Sequence, residues 1–344
     1  MTTIQNMSRR VQALAGAYVP KKLHPRFLTG IEALATKGLA SLNANGRSLC
    51  ENRWTGEVRI RRTVTDERFP ALLMKVILKE FLPGRGQLRL SLDHSTFGTF
   101  TIAVFALSAG KGRALPVWCV ITRTGKGHPL LKPLLKGFRS LFEQLSYQQR
   151  GRLVVVMDRW FAIPDLLEYL DGEHIGFIVR LKKDTPLGVP WVEPYLATTA
   201  GEVSLPDTPV VYHGHDWRLV RSDLKPGMKE EEPWFLLTNT SSHKLTRQQI
   251  LRCYAKRFEI EEHFKDIKWI EGYEWHQMKK LTVARTVFMF VFLGWWLLLR
   301  IYRATAGEHR DTHRNIHPKK QLSWFRAIWE YWQRLRLQPL FLTS

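Results

Sequence analysis

Tyr254, Arg257, Glu261 and Lys268 are spaced at offsets of three, seven and fourteen within one charged stretch of the chain. On a helix turning about 100° per residue, those offsets gather the four side chains within an arc of roughly 60°. At ~1.5 Å per residue the row runs about 21 Å, several phosphate spacings of a nucleic-acid strand. An acid set among two fixed cations and a phenol can hold a metal ion while its neighbours grip phosphates. The chemistry this suits is phosphodiester cleavage. Glu262 points about 100° away from Glu261 and Glu259 lies off the row, so Glu261 is the acid of choice. The bland alternative is a solvated helix face with salt bridges at i,i+3 and i,i+4.

Two aspartates extend the acidic set. Leu88, Leu90 and Leu92 alternate with Arg89, Ser91 and Asp93, the period of a strand with one apolar face. Asp93 is expected to end that strand, on the side away from the leucines. Asp158 follows the apolar run Leu153–Met157, as expected of a strand buried on both faces. A carboxylate at the carboxyl end of a buried strand is costly unless compensated, and such ends are where α/β sheets place ligands. Asp93, Asp158 and Glu261 together can hold two Mg²⁺ ions. One would activate the attacking oxygen and the other stabilise the leaving oxygen of an in-line displacement at phosphorus. Mg²⁺ prefers oxygen ligands and keeps several waters, so three carboxylates are sufficient. Taken singly, an aspartate in such a place is more often a turn or a helix cap. The helix row is what favours the functional reading.

The elements that must position these residues are legible around them. Thr246 with Gln249 reads as a capping box and Gly272 as a stop, with Cys253, Ile260, Phe264 and Ile267 as a narrow apolar stripe. One continuous helix is therefore expected, its Tyr-Arg-Glu-Lys row bordering the stripe and facing a cleft. Residues 99–108 and 115–123 read as strands joined at Gly110-Lys111-Gly112, and 128–145 as a helix. A short helix at 162–171 and strands at 175–181 and 234–240 follow. The stretch 183–233 holds seven of the chain's 17 prolines, which excludes long helices and predicts a β-rich insertion. Pro83-Gly84-Arg85-Gly86 marks a turn. The resulting plan is a helical N-terminal region over 1–86, whose basic clusters make DNA-end binding its expected role, an α/β domain with a mixed sheet over 87–300, and a basic aromatic tail over 301–344.

Composition narrows the partner. Lys and Arg number 52 against 31 Asp and Glu, a formal net charge of +21, with a sequence pI near 10.1. Such a surface attracts polyanions and steers them in from a distance. Hydrophobic residues make up 44% of the 344, enough for a real core and too many for a disordered basic tail. Cys50, Cys119 and Cys253 form no CxxC, which argues against a disulfide framework or zinc ribbon and fits a reducing cytoplasm. Val287–Leu299 is the most apolar run but falls short of the ~18 residues that a membrane span usually needs, so a buried helix is the better reading.

Three blocks carry a resemblance to a known family: Leu92-Asp93-His94-Ser95-Thr96-Phe97, Val156-Met157-Asp158-Arg159-Trp160-Phe161, and the 254–268 segment. The chain resembles bacterial insertion-sequence transposases of the DDE type, in the group marked by a Tyr-x₂-Arg-x₃-Glu-x₆-Lys signature. The likeness covers residues ~88 to ~300. It implies an RNase H-like fold with a β-rich insertion before the glutamate-bearing helix. It implies Asp93, Asp158 and Glu261 as ligands of Mg²⁺, for which Mn²⁺ can substitute. Tyr254, Arg257 and Lys268 would contact phosphates near the transposon end, and Arg159 would help position DNA. The implied partners are double-stranded DNA, both transposon ends and target, and a second copy of the chain bridging two ends. The implied reaction is hydrolysis that frees a 3′-hydroxyl, which then attacks target DNA, often through a hairpin on the transposon end.

Two other functions compete, a nuclease of the same fold that cuts without joining and a non-catalytic DNA-binding remnant. The intact signature row speaks against the first. Retention of three acids speaks against the second, since an inert binder has no need to hold like charges together. His309, His313 and His317 share a spacing compatible with metal but lack companion ligands, so a solvated tail is the better reading. The tail's interleaved aromatics and arginines suit an amphipathic helix contact more than a DNA surface.

Overall fold

A computed structural model describes residues 3–37, 52–97, 99–110, 113–123, 130–182, 185–187, 208–222, 233–239, 245–271 and 280–304. Four helices come first: α1 (Thr3–Tyr18), α2 (His24–Lys37), α3 (Arg53–Val64) and α4 (Phe69–Phe81). Strands β1 (Leu88–Phe97), β2 (Phe100–Gly110) and β3 (Arg113–Arg123) then form a meander. Helices α5 (Leu131–Glu143) and α6 (Tyr147–Arg150) lead to β4 (Leu153–Met157), α7 (Pro164–Gly172) and β5 (Gly176–Arg180). The hairpin β6 (Thr208–Tyr212) and β7 (His215–Arg221) precedes β8 (Phe235–Thr238). Helices α8 (Arg247–Ala255), α9 (Phe258–Glu271) and α10 (Leu281–Ala304) follow.

The eight strands make one mixed sheet in the order β3-β2-β1-β4-β5-β8-β7-β6. It is flanked by helices, as an RNase H-like fold requires. β1, β4 and β5 are parallel at the centre and the other pairings are antiparallel. The expected insertion supplies β6 and β7, and these extend the central sheet instead of standing apart from it. Their hairpin turns through His213 (φ 49°) and Gly214 (φ 82°), the pair of positive φ angles that a tight two-residue turn demands.

Strand alternation sorts the two faces. Leu92, Met157, Val179, Leu237 and Leu219 are aligned across the sheet on one face, where Phe105 meets Phe138 of α5 edge-on. Ser91, Val156, Ile178, Leu236 and Val220 lie on the other. That second face carries α8, α9 and α10.

The turn at Pro83–Gly86 is present, with Gly86 at φ 79°. Arg152 staples it by donating to the carbonyls of Gly86, Gly84 and Pro83 at 2.6, 2.8 and 2.7 Å. The core nevertheless continues across it. Phe290 of α10 packs against the rings of Phe27 and Phe69, and Gly30 lies so close to Phe290 that any Cβ there would stand 2.4 Å from the ring. Glu80 of α4 ties α1 to α10 in the same region, accepting from Tyr18 at 2.8 Å and pairing with Arg10 and Arg300. Helix α10 contains a 20-residue span, Leu281–Arg300, that is long and apolar enough to cross a membrane, longer than the run read from the sequence. It lies between β3 and the N-terminal helices, with Val287–Phe292 buried throughout. Cys119 and Cys253 are buried and free. Cys50, the three tail histidines and the aromatic tail lie outside the described residues.

Candidate active site

Register brings the two aspartates side by side. β1 and β4 run parallel with Leu92 opposite Met157, so Asp93 and Asp158 are one step further on adjacent strands, about 5 Å apart at the backbone. Both follow the parity of Ser91 and Val156 and therefore belong to the face that α8 and α9 cover. Asp93 does not end its strand, as the sequence pattern suggested. β1 continues to Phe97 and keeps pairing with β2, so Asp93 sits mid-strand opposite Val104.

The expected single helix from Thr246 to Gly272 is broken. Its start is as read, with Thr246 and Gln249 exchanging both capping-box bonds. At Lys256–Arg257 the chain leaves the helix and re-enters it at Phe258, closed by i→i+3 bonds from Arg257 N to Tyr254 O (2.8 Å) and from Ile260 N to Arg257 O (3.0 Å). The cause is the sheet beneath. Helix α8 packs on β4 and β7, while α9 crosses to β1 and β3. Adjacent strands rotate by roughly 20–25° each, so a straight helix cannot follow that face across so many strands. The break falls beside the two strands that carry the aspartates. Tyr254, Arg257, Glu261 and Lys268 therefore do not form one straight row on one helix.

Arg257 is the centre of what forms instead. Its guanidinium donates to Asp93 Oδ2 at 2.9 Å and to Glu261 Oε1 at 2.6 Å. It lies over the rings of Phe258 and Tyr254, 4.7 and 5.7 Å from their centroids, and is only 4% exposed. Burial alone would lower its pKa. The surrounding Tyr254, Asp93, Glu261 and Asp158 more than offset that and raise it.

Asp93 is in the opposite condition. Burial lifts its carboxyl to about 6, against the pull of Arg257 and of a 2.7 Å bond from the His94 backbone N–H, while Glu261 and Asp158 push it higher. A carboxylate lifted chiefly by burial, with further acids beside it, is a functional-site signature. Among the described residues, no three acids, histidines or cysteines are disposed to hold a metal ion as they stand.

The remaining expected residues divide. Tyr254 is fully buried against Trp234, ring centroids 4.9 Å apart, and burial pushes its phenol up to about 12. It supports Arg257 from below rather than facing an open cleft. Arg159 is exposed in the short turn Arg159–Phe161 that leaves β4. Lys268 belongs to α9, but its side chain lies outside the described residues.

Two further residues border the acids. His94 stacks on Trp160 at 4.4 Å and meets Phe161 edge-on at 5.8 Å, and burial lowers its pKa, which favours the neutral ring. Arg180 is one step beyond Val179, the partner of Met157, so Asp93, Asp158 and Arg180 form one row across three strands. The sequence signal for Arg180 was available, a charge at the end of an apolar strand exactly as at Asp158. Behind the site, Glu259 anchors α9 by pairing with Arg89 at 2.9 Å and accepting from Ser108 at 2.8 Å.

A family model described as a transposase DDE domain matches residues 98–297. The match takes in Asp158, Arg180, Arg257, Glu261 and Lys268 and begins just after Asp93. No curated protein matches the chain.

Proposed function

The chain belongs to the transposase DDE-domain family, and on that footing we propose that it cuts DNA at insertion-sequence ends and joins the freed 3′-hydroxyl to target DNA. The observation that supports this most is that Asp93 and Glu261 share one guanidinium, with Asp158 beside Asp93 at the end of the neighbouring strand and within that guanidinium's electrostatic reach. Like charges are gathered there at a cost that a purely structural site has no reason to bear.

The donor set suits a hard divalent cation, since all three groups offer carboxylate oxygens. Asp93, Asp158 and Glu261 would hold Mg²⁺, with Mn²⁺ able to substitute, once Arg257 turns aside. Bound there, the ions supply activation of the attacking oxygen and neutralisation of the leaving one. The protein's own part is positioning. Asp93 and Asp158 are fixed by strand register, and Glu261 by a helix whose first turn is pinned through Glu259. Arg257, Arg159 and Lys268 would hold phosphates of the DNA end, with Tyr254 backing Arg257. With these roles the chain would fall in the Tyr-Arg-Glu-Lys group. The partners are double-stranded DNA and, when two ends are bridged, a second copy of the chain. The reaction takes place in the cytoplasm, where free buried thiols persist.

Purified protein incubated in Mg²⁺ with duplexes carrying the sequences that flank its gene tests the reading. Cleavage at the element boundary followed by joined products is expected. Cleavage without joining would reduce the chain to a nuclease, and binding without cleavage to a DNA-binding remnant. Either outcome overturns the proposal.

A further inference from the structure

The three acids share one face, yet a guanidinium occupies the ground between two of them. Arg257 takes Asp93 Oδ2 and Glu261 Oε1, oxygens that a divalent cation would need. A guanidinium never gives up its charge in a protein and has no acceptor to offer. It and a divalent cation therefore compete for the same lone pairs and repel one another.

The backbone bonds at Arg257, 2.8 Å to Tyr254 O and 3.0 Å from Ile260 N, hold its main chain but leave its side-chain torsions free to turn. Arg257 sits in the two-residue break between α8 and α9 rather than inside a regular helix. Short 3₁₀ stretches within a helical run often mark a hinge. Glu261 is 39% exposed at its side chain, so one end of the bridge borders solvent. A DNA phosphate offers the same fork-shaped arrangement of anionic oxygens that Arg257 now finds in two carboxylates.

We propose that Arg257 is a latch: in the DNA-free protein it is an internal counter-ion that keeps divalent cations out, and an arriving DNA phosphate draws it away and frees Asp93 and Glu261. Metal loading and DNA binding are then positively coupled, and each must strengthen the other by the same factor. The acids remain masked until a phosphate is in place, so cutting is confined to engaged DNA. This inference rests on reading Asp93, Asp158 and Glu261 as metal ligands.

Mn²⁺ binding to the full chain, followed by electron paramagnetic resonance and calorimetry, tests it without any activity assay. Without DNA, Arg257→Gln should bind Mn²⁺ at least about tenfold more tightly than wild type, roughly 1.4 kcal/mol. Arg257→Lys, which keeps the charge but loses the fork, should fall between. Short duplexes carrying the gene's flanking sequence should tighten Mn²⁺ binding to wild type by a similar factor and to Arg257→Gln hardly at all. Asp158→Asn with the same duplexes serves as the blank for Mn²⁺ held by DNA alone. Equal affinities for wild type and Arg257→Gln, or equal tightening of both by DNA, would overturn the latch and leave the metal reading intact. Should Arg257→Gln fail to fold, wild type decides alone, and Mn²⁺ affinity indifferent to DNA sinks the proposal. If no protein binds Mn²⁺ beyond the blank in any condition, the metal reading falls and the latch with it.

Discussion

Asp66 and Asp93 are both buried carboxylates held by arginine, and they have opposite electrostatic fates. Asp66, between α3 and α4, accepts from Arg26 at 2.7 Å and from Arg68 at 2.6 and 2.8 Å. Two whole cations serve one acid, and Arg68 above all holds its pKa down at about 2. Asp93 shares a single arginine with Glu261 while Asp158 adds a third negative charge, and burial carries it to about 6. One site has positive charge to spare and stabilises the fold. The other is short of positive charge and stores an unmet demand, which is what a cation-binding, phosphate-handling site needs before its ligands arrive.

The largest expected effect lies at the short-charged site. Asp93→Ala, Asp158→Ala and Glu261→Ala should each lower end cleavage in Mg²⁺ roughly 10³-fold or more while binding of the same DNA changes little. A variant that cuts at near wild-type rates removes that residue from the set, and Asp93, lying outside the matched family segment, is the most informative of the three.

Stability should separate the two sites in the opposite sense. Asp66→Asn leaves Arg26 and Arg68 without their shared acceptor and should cost about 2 kcal/mol, moderated by the partial exposure of both arginines. Asp93→Asn removes a buried like charge and should leave stability unchanged or raise it by up to ~1 kcal/mol. Denaturant melts of the two variants decide this, and a loss at Asp93 as large as at Asp66 would erase the contrast.

The pH dependence carries the same signs in EDTA. Asp66, with its pKa depressed, contributes stability present above the ordinary carboxylate value of 3.8 and lost as pH falls through about 2. Asp93, with its pKa raised, contributes stability fully present below 3.8 and lost as pH rises through about 6. Thermal melts should therefore show Asp93→Asn flattening the decline between about 4 and 6, and Asp66→Asn flattening the one between about 4 and 2. The smallest effect concerns DNA. Arg257→Ala and Lys268→Ala should each reduce the slope of binding against salt by about one, as expected when one phosphate contact is lost. Unchanged slopes would leave Arg257 with its acids alone.

Much of the central sheet was legible because strand signals are local. The run Leu153–Met157 is β4 to the residue, and the prolines of 183–233 foretold strands rather than helices. The 254–268 spacing was legible too, but its geometry was not. A helical wheel treats residues 246–272 as one rigid rod, whereas the twist of the sheet breaks that rod at Arg257. A charge ends β5 much as one follows β4, but only the pairing of the two strands sets Arg180 beside Asp158.

The amino-acid order alone determined which residues carry charge, which segments alternate, and that three acids recur with a basic, phosphate-seeking composition. These are properties of neighbours along the chain. Tertiary structure alone decided that Asp93 and Asp158 stand on adjacent strands, that Tyr254 is buried beneath Arg257, and that Arg257 bridges Asp93 to Glu261. Each of those depends on strand order and sheet twist, which sum over many residues distant in sequence and have no local signature.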